Sequence, residues 1–165
     1  MEKRKSIRRY KGEMIPEKEL EKILEAGRLA PSARNGQNWK FVVVSDPETR
    51  REVASAANNQ MFLAGAPVII CVCATEPGRK MSCGQYAHTV DCSIAMTHMI
   101  LQAAELGIGS CWIGAFDQEK VKNIIRLPDP MEIVALSPFG YPDEDPAPRP
   151  RKSRDEVISH NQYTM

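Results

Sequence analysis

The sequence predicts one α/β or α+β domain in which a single sheet lies between helices. Patterns typical of helices and of strands alternate along the chain, as they do in folds of these two classes. The chain has 165 residues, 42% of them hydrophobic, which is the size and composition of one domain with a full core. Charged residues make up 26%, a proportion typical of neither a disordered chain nor a membrane protein. We therefore expect residues 1–165 to form a single domain.

Eight elements are expected in the order that this class requires. They are a helix at 16–30, a strand at 39–45, a helix at 47–57, a strand at 66–74, a helix at 85–106, a strand at 109–114, a helix after Asp117 and a strand at 132–139. Pro16 suits a first helical turn, and Pro31 should end that helix, since the residue before a proline avoids the helical region. Asp46 is expected to cap the second helix. The run at 66–74 is apolar throughout, which is typical of a central strand.

The longest predicted helix, at 85–106, is apolar on nearly every side of its middle. We therefore expect it to be buried, in part against a second subunit. Gly107 is well suited to end it, and the loop at 75–84 precedes it. The stretch at 140–154 is rich in proline and too polar to form a core, so it is expected to be extended and to wrap around a partner.

The cysteines and the N-terminal residues indicate whether to expect disulfides, a metal site or a membrane segment. An odd number of cysteines, five, and the lack of a signal peptide argue against a disulfide framework. Cys71 and Cys73 alternate within a predicted strand and should share one face, where cysteine is commonly a small core side chain. No spacing matches a metal-site template, so no metal is expected. No run reaches the length of a membrane span, and we expect a cytoplasmic protein with no membrane partner.

The net charge of +1 hides a strong asymmetry along the chain. Six basic residues stand within the first eleven positions: Lys3, Arg4, Lys5, Arg8, Arg9 and Lys11. Four more, with no acid among them, stand within 149–154: Arg149, Arg151, Lys152 and Arg154. Such runs are typical of solvated tails, but both could also hold one small anionic ligand. Nucleic-acid binding is not favoured, because the rest of the chain is acidic and offers no broad basic face.

Side chains for acid–base or nucleophilic catalysis are poorly represented. There is no phosphate-binding P-loop, no HExxH, no GxSxG and no paired Cys–His motif, and GIGSCWIG places a tryptophan where a dinucleotide fingerprint needs glycine. His88 and His98 lie on the long predicted helix and His160 in the tail, where structural or surface roles are more typical than catalysis. If the chain is an enzyme, a cofactor is expected to carry the reaction.

Four segments, in this order and spacing, carry a resemblance to a known family. They are RKSIRRY at 4–10, APSARNGQNWKFVVV at 30–44, DCSIAMTHMILQAAELGIGSCWIGAF at 91–116 and RPRKSRDEVI at 149–158. Together they resemble the FMN-dependent nitroreductase family, in particular its short members. The resemblance implies an α+β fold with a helix-flanked mixed or antiparallel sheet. It also implies an intertwined homodimer that binds FMN at the subunit interface.

The resemblance assigns the cationic ends of the chain to the cofactor. Arg4, Lys5 and Ser6 would contact the phosphate, ribityl chain and pyrimidine edge of FMN, and Arg8 would lie near N1 and O2. Reduction places negative charge at N1 and O2, so the Arg8 cation should stabilise the reduced form. Arg149 and Arg151 match the C-terminal phosphate clamp of the family. Guanidinium forks suit a phosphate dianion.

The resemblance also explains why eight weakly hydrophobic residues separate the first helix from the first strand. In the family this loop comes from the partner subunit and packs along the flavin. Pro31, Ser32 and Ala33 would line the ring, with Asn35 and Gln37 holding the loop's own hydrogen bonds and Trp39 anchoring it. The sequence departs from the common pattern at Asn38, where proline usually precedes the tryptophan.

Two further segments match positions that lie beside the flavin ring in the family. Ile113 and Gly114 would lie beside the isoalloxazine, with a backbone N–H facing N5. Asn58 aligns with a family asparagine that reaches the ring, and Gln60 is its nearby alternative. Substrate specificity in the family resides mostly between the second strand and the long helix, here the short lid at 75–88. Its Glu76, Lys80 and Tyr86 could clamp a zwitterionic substrate.

The implied activity is that of an oxidoreductase with a ping-pong mechanism. NADH or NADPH would reduce FMN and leave, and a nitroaromatic, quinone or related acceptor would then take two electrons. Within the family, dehalogenation, flavin cleavage and enone reduction share the scaffold. Two interpretations from other classes remain open: a flavin-binding storage or sensor protein without turnover, and a small metal-binding protein that uses its cysteines.

Overall fold

The computed structural model describes residues 4–164, so Lys3 of the basic N-terminal run lies outside it. Its helices are α1 (Glu17–Arg28), α2 (Pro47–Ala56), α3 (Phe62–Gly65), α4 (Ala87–Glu105), α5 (Gln118–Ile125) and α6 (Arg154–Val157). Its strands are β1 (Trp39–Val44), β2 (Val68–Ala74), β3 (Gly109–Ser110) and β4 (Glu132–Gly140). The predicted order of helices and strands is confirmed, with ends that differ by up to a few residues.

The four strands form one antiparallel sheet in the order β1-β2-β4-β3, which confirms the predicted α+β class. The central strand β2 is buried along its whole length, as its apolar run predicts. Helices α1 and α4 cover one face of the sheet with a core that includes Ile23, Val72 and Met96. The other face packs against α2, α3 and α5 and includes Cys71, Cys73 and Val121. The two strand cysteines therefore share one face, as predicted.

Capping residues mark the start of α2 and α5 and the end of α4, as the sequence predicts. Asp46 Oδ2 accepts a hydrogen bond from the backbone N–H of Thr49 at 2.8 Å, and Asp117 caps α5 in the same way through Lys120 N–H. Gly107 follows α4 with φ +74°, a left-handed conformation that glycine adopts without strain. The first helix ends two residues early, at Arg28, before the predicted stop at Pro31.

The predicted strand at 109–114 is wrong in length, because only Gly109 and Ser110 remain in the ladder. The chain leaves the sheet at Cys111 and Trp112 and returns for a single bridge between Ile113 and Leu136. Strand β4 also contains a bulge. Val72 pairs with Ala135 and Cys73 pairs with Ile133, so Val134 between them has no partner on β2. A bulge adds one residue to a strand and reverses the facing of the side chains beyond it.

The N-terminal segment behaves as an additional edge of the sheet. Ser6 forms a parallel bridge with Ser110, and the backbone N–H of Ile7 donates to Ser110 O at 2.9 Å. Tyr10 bridges Pro142, and its hydroxyl donates to Ile7 O. Burial, together with nearby Cys111 and Glu144, raises the pKa of Tyr10 far above its usual value, which keeps this hydroxyl a donor.

Gly109 sets how closely that segment approaches the sheet. A Cβ at position 109 would lie 2.8 Å from Ile7 Cγ1 and 2.9 Å from Ile7 Cβ. Gly109→Ala should therefore separate the segment from β3 and lower the free energy of unfolding by about 1–3 kcal/mol, the usual cost of overpacking. Urea denaturation measures this loss. Gly12→Ala is the control, since no heavy atom lies within 4 Å of a Cβ there, and an equal loss in both variants would contradict the packing argument.

Candidate functional site

The two cationic ends of the chain meet at one cavity of about 400 Å³. Its lining comprises Arg4, Lys5, Ser6, Arg8, Pro146, Ala147, Pro148, Arg149 and Arg151. These include all six positions that the sequence analysis assigns to the two ends of the cofactor-binding site. The fold brings them together because the N-terminal segment docks beside β3, while the tail leaves the adjacent strand β4.

Most of the positive charge in this cavity is uncompensated. Lys5 pairs with Asp145 at 2.5 Å, and Arg9, which is not part of the lining, lies 3.6 Å from Asp143. By contrast, the four arginines of the lining have no carboxylate partner within 4 Å among residues 4–164. No acidic residue contributes to the lining either. Such an arrangement favours the binding of an anion, since guanidinium groups form strong bidentate contacts with phosphate or carboxylate.

The segment Cys111–Gly114 offers a free backbone donor at Gly114. The N–H and C=O of Ile113 both bond to Leu136, at 2.8 and 3.0 Å. The Ile113 donor is thus engaged, whereas Gly114 N–H has no acceptor within the described chain. Gly114 is exposed, and the nearest atom to a Cβ there would be Trp112 Nε1 at 3.9 Å. Of the two residues predicted to lie beside a ring, Gly114 is the one with an available N–H and open space.

Gln60 holds this segment in place. Its Nε2 donates to Ala57 O at 2.8 Å and to Ala115 O at 3.0 Å, which links the end of α2 to the chain after Gly114. Asn58 is exposed with φ +55°, and no bond of its side chain is present within the described chain. The amide donors of Gln60 are therefore engaged with backbone carbonyls, while those of Asn58 are available. Nearby, the Arg8 guanidinium lies 5.9 Å from the centroid of the Phe62 ring.

The loop between α1 and β1 is ordered and contains three non-glycine residues in the left-handed region. Arg34, Asn35 and Gln37 have φ values of +56°, +55° and +51°. Such conformations persist only where surrounding contacts hold them, and they concentrate at functional sites. Here Gln37 N–H donates to Ser32 Oγ at 3.0 Å, and the Gln37 amide donates to Asn35 O. Gln37 thus bonds within the loop as expected, whereas Asn35 contributes its backbone.

Two carboxylates from other elements fix the ends of this loop. Asp91, a buried residue of α4, accepts from Ala33 N–H at 3.0 Å. At the other end, Asn38 Nδ2 donates to Glu76 Oε2 at 2.8 Å, and Asn38 O accepts from Thr75 N–H. Asn38 therefore anchors the loop to the lid by hydrogen bonds, without a proline. Pro31, Ser32 and Ala33 do not line the cavity of the four arginines in the described single chain.

Comparison with known proteins identifies the family of this chain. The sequence profile of the nitroreductase family matches residues 1–62 and 54–141. This chain belongs to the nitroreductase family. It is 34% identical over 146 residues to a putative NADH dehydrogenase/NAD(P)H nitroreductase of Archaeoglobus fulgidus, covering 86% of this chain and 83% of that protein. The resemblance carried by the four sequence segments is thereby confirmed.

Solved structures of the nitroreductase family share the fold over nearly the whole chain. A nitroreductase family protein from Clostridium difficile superposes with a TM-score of 0.88 at 29% identity, covering 98% of this chain and 96% of that one. The NADPH:FMN oxidoreductase of Vibrio harveyi, complexed with NAD+, gives a TM-score of 0.90 at 25% identity, covering 99% of this chain and 76% of that one.

The lid of this nitroreductase family member is a hairpin with three polar contacts of its own. Lys80 and Tyr86 bridge its two arms, and the Lys80 ammonium lies 5.0 Å from the Tyr86 ring centroid. Glu76, the third residue proposed for a zwitterion clamp, instead accepts a hydrogen bond from Asn38. His88 supports the hairpin from below: its Nδ1 accepts from Gly78 N–H at 3.3 Å, and its Nε2 lies 3.3 Å from Glu132 Oε2.

Four of the five cysteines are buried, and Cys83 in the lid is exposed. Burial raises the pKa of Cys73 to about 12 and that of Cys92 to about 12, so both remain protonated thiols. A metal ligand or nucleophile needs the thiolate, and these side chains therefore behave as core residues. Within residues 4–164, no group of three or more His, Cys, Asp or Glu side chains is placed to hold a metal ion. No helix in that range is long and apolar enough to cross a membrane.

Three features near the site were not predicted from the sequence. The helix α3 has four residues, too few for a periodic signal, and it carries the Phe62 that Arg8 approaches. The helix α6 does have a signal, because Ser153 and Glu156 form a capping box of the S-x-x-E type. The acidic residues 143–145 were not singled out, although they contact the N-terminal segment at Lys5, Arg8 and Arg9. Their partners lie more than 130 residues away in sequence.

Proposed function

We propose that residues 1–165 form a single FMN-binding domain of an NAD(P)H-dependent oxidoreductase. The proposed reaction transfers two electrons from NADH or NADPH to a nitroaromatic, quinone or related acceptor by a ping-pong mechanism. The observation that carries the proposal is the cavity where four arginines from both chain ends meet without an acidic partner. The names of family relatives, a putative NAD(P)H nitroreductase and an NADPH:FMN oxidoreductase, support the same activity.

The residues that line the cavity fit the phosphate end of FMN. A phosphate monoester carries close to two negative charges near neutral pH, and guanidinium forks bind it bidentately. Arg4, Arg149 and Arg151 would hold the phosphate, because none of them is engaged with a carboxylate in the described chain. Ser6 adds a hydroxyl to the same wall. Lys5 could join them once it is released from Asp145, whose side chain is exposed.

The residues beside the cavity fit a planar ring with acceptor atoms. Gly114 presents a free N–H across open space, and Gln60 fixes the backbone that follows it. Arg8 would contribute a cation at the pyrimidine edge of the ring. When bound, FMN supplies the two-electron chemistry, which agrees with the absence of catalytic motifs in the sequence. The protein binds and orients it, and the Arg8 charge stabilises the reduced form.

We further propose a homodimer in which each flavin contacts both chains. The loop residues Pro31, Ser32 and Ala33 do not line the arginine cavity of their own chain, so a second chain would supply them. The outer face of α4 carries a shallow groove that includes Val90, Ile94 and Leu101. Apolar grooves of this kind on a helix face are typical of interfaces.

The C-terminal tail and the free edge of β1 support the same assembly. Val157, Ile158 and Tyr163 of the tail are exposed large hydrophobic residues. Strand β1 lies at the edge of the sheet, beside a cavity of about 1000 Å³ between β1 and α1. Trp39 and Phe41 stack on its floor, with ring centroids 6.1 Å apart. An exposed strand edge is a template for pairing with another chain, and the partner's tail is the segment we expect there.

The proposed function is tested by the colour of the protein and its response to nicotinamides. The purified protein should show the absorbance of bound FMN, and anaerobic addition of NADH or NADPH should bleach it. A panel of nitroaromatics and quinones should then restore the colour. A bound flavin that neither nicotinamide reduces would favour the storage or sensor alternative, and a colourless protein that fails to bind added FMN would contradict the proposal.

Loss of one tail arginine should weaken FMN binding. Arg151→Ala removes a charge-assisted contact to phosphate, so the dissociation constant for FMN should rise by roughly tenfold to a hundredfold. Quenching of flavin fluorescence measures this affinity. Arg154→Ala is the matched control, because Arg154 is an exposed arginine three positions away that does not line the cavity. Equal effects of the two substitutions would remove Arg151 from the phosphate site.

Dissociation of the dimer should release the flavin. If each FMN contacts Arg4 of one chain and Ser32 of the other, half of the site is lost when the chains separate. Serial dilution should therefore release FMN over the same concentration range in which light scattering reports monomers. A monomer that retains FMN with undiminished affinity would rule out the shared site.

A further inference from the structure

The N-terminal segment that carries the cavity arginines is anchored by three backbone contacts, one of which is the hydrogen bond from Asp143 N–H to Arg9 O at 2.9 Å. Near its start, Ile7 N–H donates to Ser110 O at 2.9 Å, and the Ile7 side chain is buried against Gly109. Further on, Lys11 N–H donates to Tyr141 O at 2.9 Å. Arg8 and Arg9 lie between these anchors, and their backbone N–H groups need other partners.

Both of these N–H groups donate to one carboxylate oxygen. Glu144 Oε1 accepts from Arg8 N–H at 2.5 Å and from Arg9 N–H at 3.2 Å. Within residues 4–164, no other acceptor bonds to either N–H group. Hydrogen bonds to a charged acceptor are about twice as strong as neutral ones, so this contact holds the chain at Arg8 together with the bond from Asp143 N–H to Arg9 O.

The carboxylate lies behind the wall of the cavity. Arg8 lines the cavity of the four arginines, and Glu144 does not. Glu144 instead lines a second cavity, of about 400 Å³, on the side where Ile7 and Ser110 also lie. The neighbouring acids have different partners, since Asp143 pairs with Arg9 and Asp145 with Lys5. Glu144 thus holds the backbone of Arg8 while the guanidinium remains without an acidic partner.

We propose that Glu144 is a positioning residue that orients Arg8 toward the flavin ring by accepting hydrogen bonds from the backbone N–H groups of Arg8 and Arg9. The proposal rests on the proposed function, because Arg8 has a redox role only if FMN binds in this cavity. It assigns to the acidic segment a part in tuning the flavin.

The direction in which the midpoint potential changes distinguishes two ways in which Glu144 could act: through the position of Arg8 or through its own charge. A carboxylate near the flavin, acting by its charge alone, disfavours the negatively charged reduced form, so its removal would raise the midpoint potential. A carboxylate that acts through Arg8 has the opposite effect. Its removal lets Arg8 move away from N1 and O2, and the midpoint potential falls. The two roles of Glu144 therefore predict shifts in opposite directions.

Amide hydrogen exchange tests the contact itself and does not require flavin. In Glu144→Ala, exchange at Arg8 and Arg9 should accelerate by roughly tenfold to a hundredfold, the loss expected for hydrogen bonds to a charged acceptor. Glu144→Gln keeps an acceptor oxygen and should retain much of the protection. Asp143→Ala is the control, because it removes only the exposed ion pair with Arg9. Unchanged exchange in Glu144→Ala would overturn the proposal whether or not the protein binds FMN.

A double-mutant cycle in the FMN-loaded protein tests the consequence. Glu144→Ala should lower the midpoint potential in the same direction as Arg8→Ala, and the affinity for reduced relative to oxidised FMN should fall by roughly tenfold. The double variant should be no lower than Arg8→Ala alone, because a residue that acts through Arg8 has no effect without it. Glu144→Gln should remain close to wild type.

The outcomes distinguish this proposal from the proposed function. A potential that rises in Glu144→Ala, or effects that add in the double variant, would overturn the positioning role while FMN binding stands. A wild-type protein that binds no FMN would overturn the proposed function and, with it, the redox role of Glu144. Faster exchange at Arg8 and Arg9, a lower potential and a non-additive double variant would together establish the role.

Discussion

The candidate site depends on the meeting of two cationic chain ends at one edge of the sheet. Like charges repel, and four arginines around one cavity destabilise the folded chain unless other contacts offset the repulsion. The offsetting contacts lie just outside the cavity. Ile7 packs on Gly109, Asp145 pairs with Lys5, and Glu144 holds two backbone donors. The cavity itself is left with uncompensated charge, which is the electrostatic condition for strong binding of an anion.

The sheet also determines the conformation of the backbone at Ile113 and Gly114. The bulge at Val134 reverses the facing of β4, so that Ile133 and Leu136 both contribute to the core formed with α2, α3 and α5. Leu136 in turn binds Ile113 through both backbone groups, and the chain then turns away from the ladder. Gly114 N–H is therefore left without a partner in the described chain. Ile113 N–H points to β4, so the N–H of the next residue, Gly114, points away from that strand and stays available at the candidate site.

The loop after α1 is stabilised by its neighbours, because its own conformation is unfavourable. Three consecutive or nearly consecutive non-glycine residues with positive φ cost free energy that the loop alone does not recover. Asp91 holds one end through Ala33 N–H, and Glu76 holds the other through Asn38. Because Glu76 belongs to the lid, the loop and the lid are mechanically linked. A change in the lid would therefore affect the surface that the loop presents.

The sequence by itself determined the order of helices and strands, the central position of β2 and the helix caps at Asp46 and Asp117. These features depend on apolar periodicity and on contacts within a few residues, which the local sequence contains. Its four segments also indicated the family, and hence the residues of both chain ends that should meet.

The tertiary structure decided the rest. It shortened the strand at 109–114 to two residues with a single further bridge at Ile113, and it distinguished the free Gly114 N–H from the engaged Ile113 N–H. It also brought Glu144 to Arg8 across a sequence separation of 136. No local pattern specifies such a pair, because the two residues become neighbours only once β3 and β4 have formed.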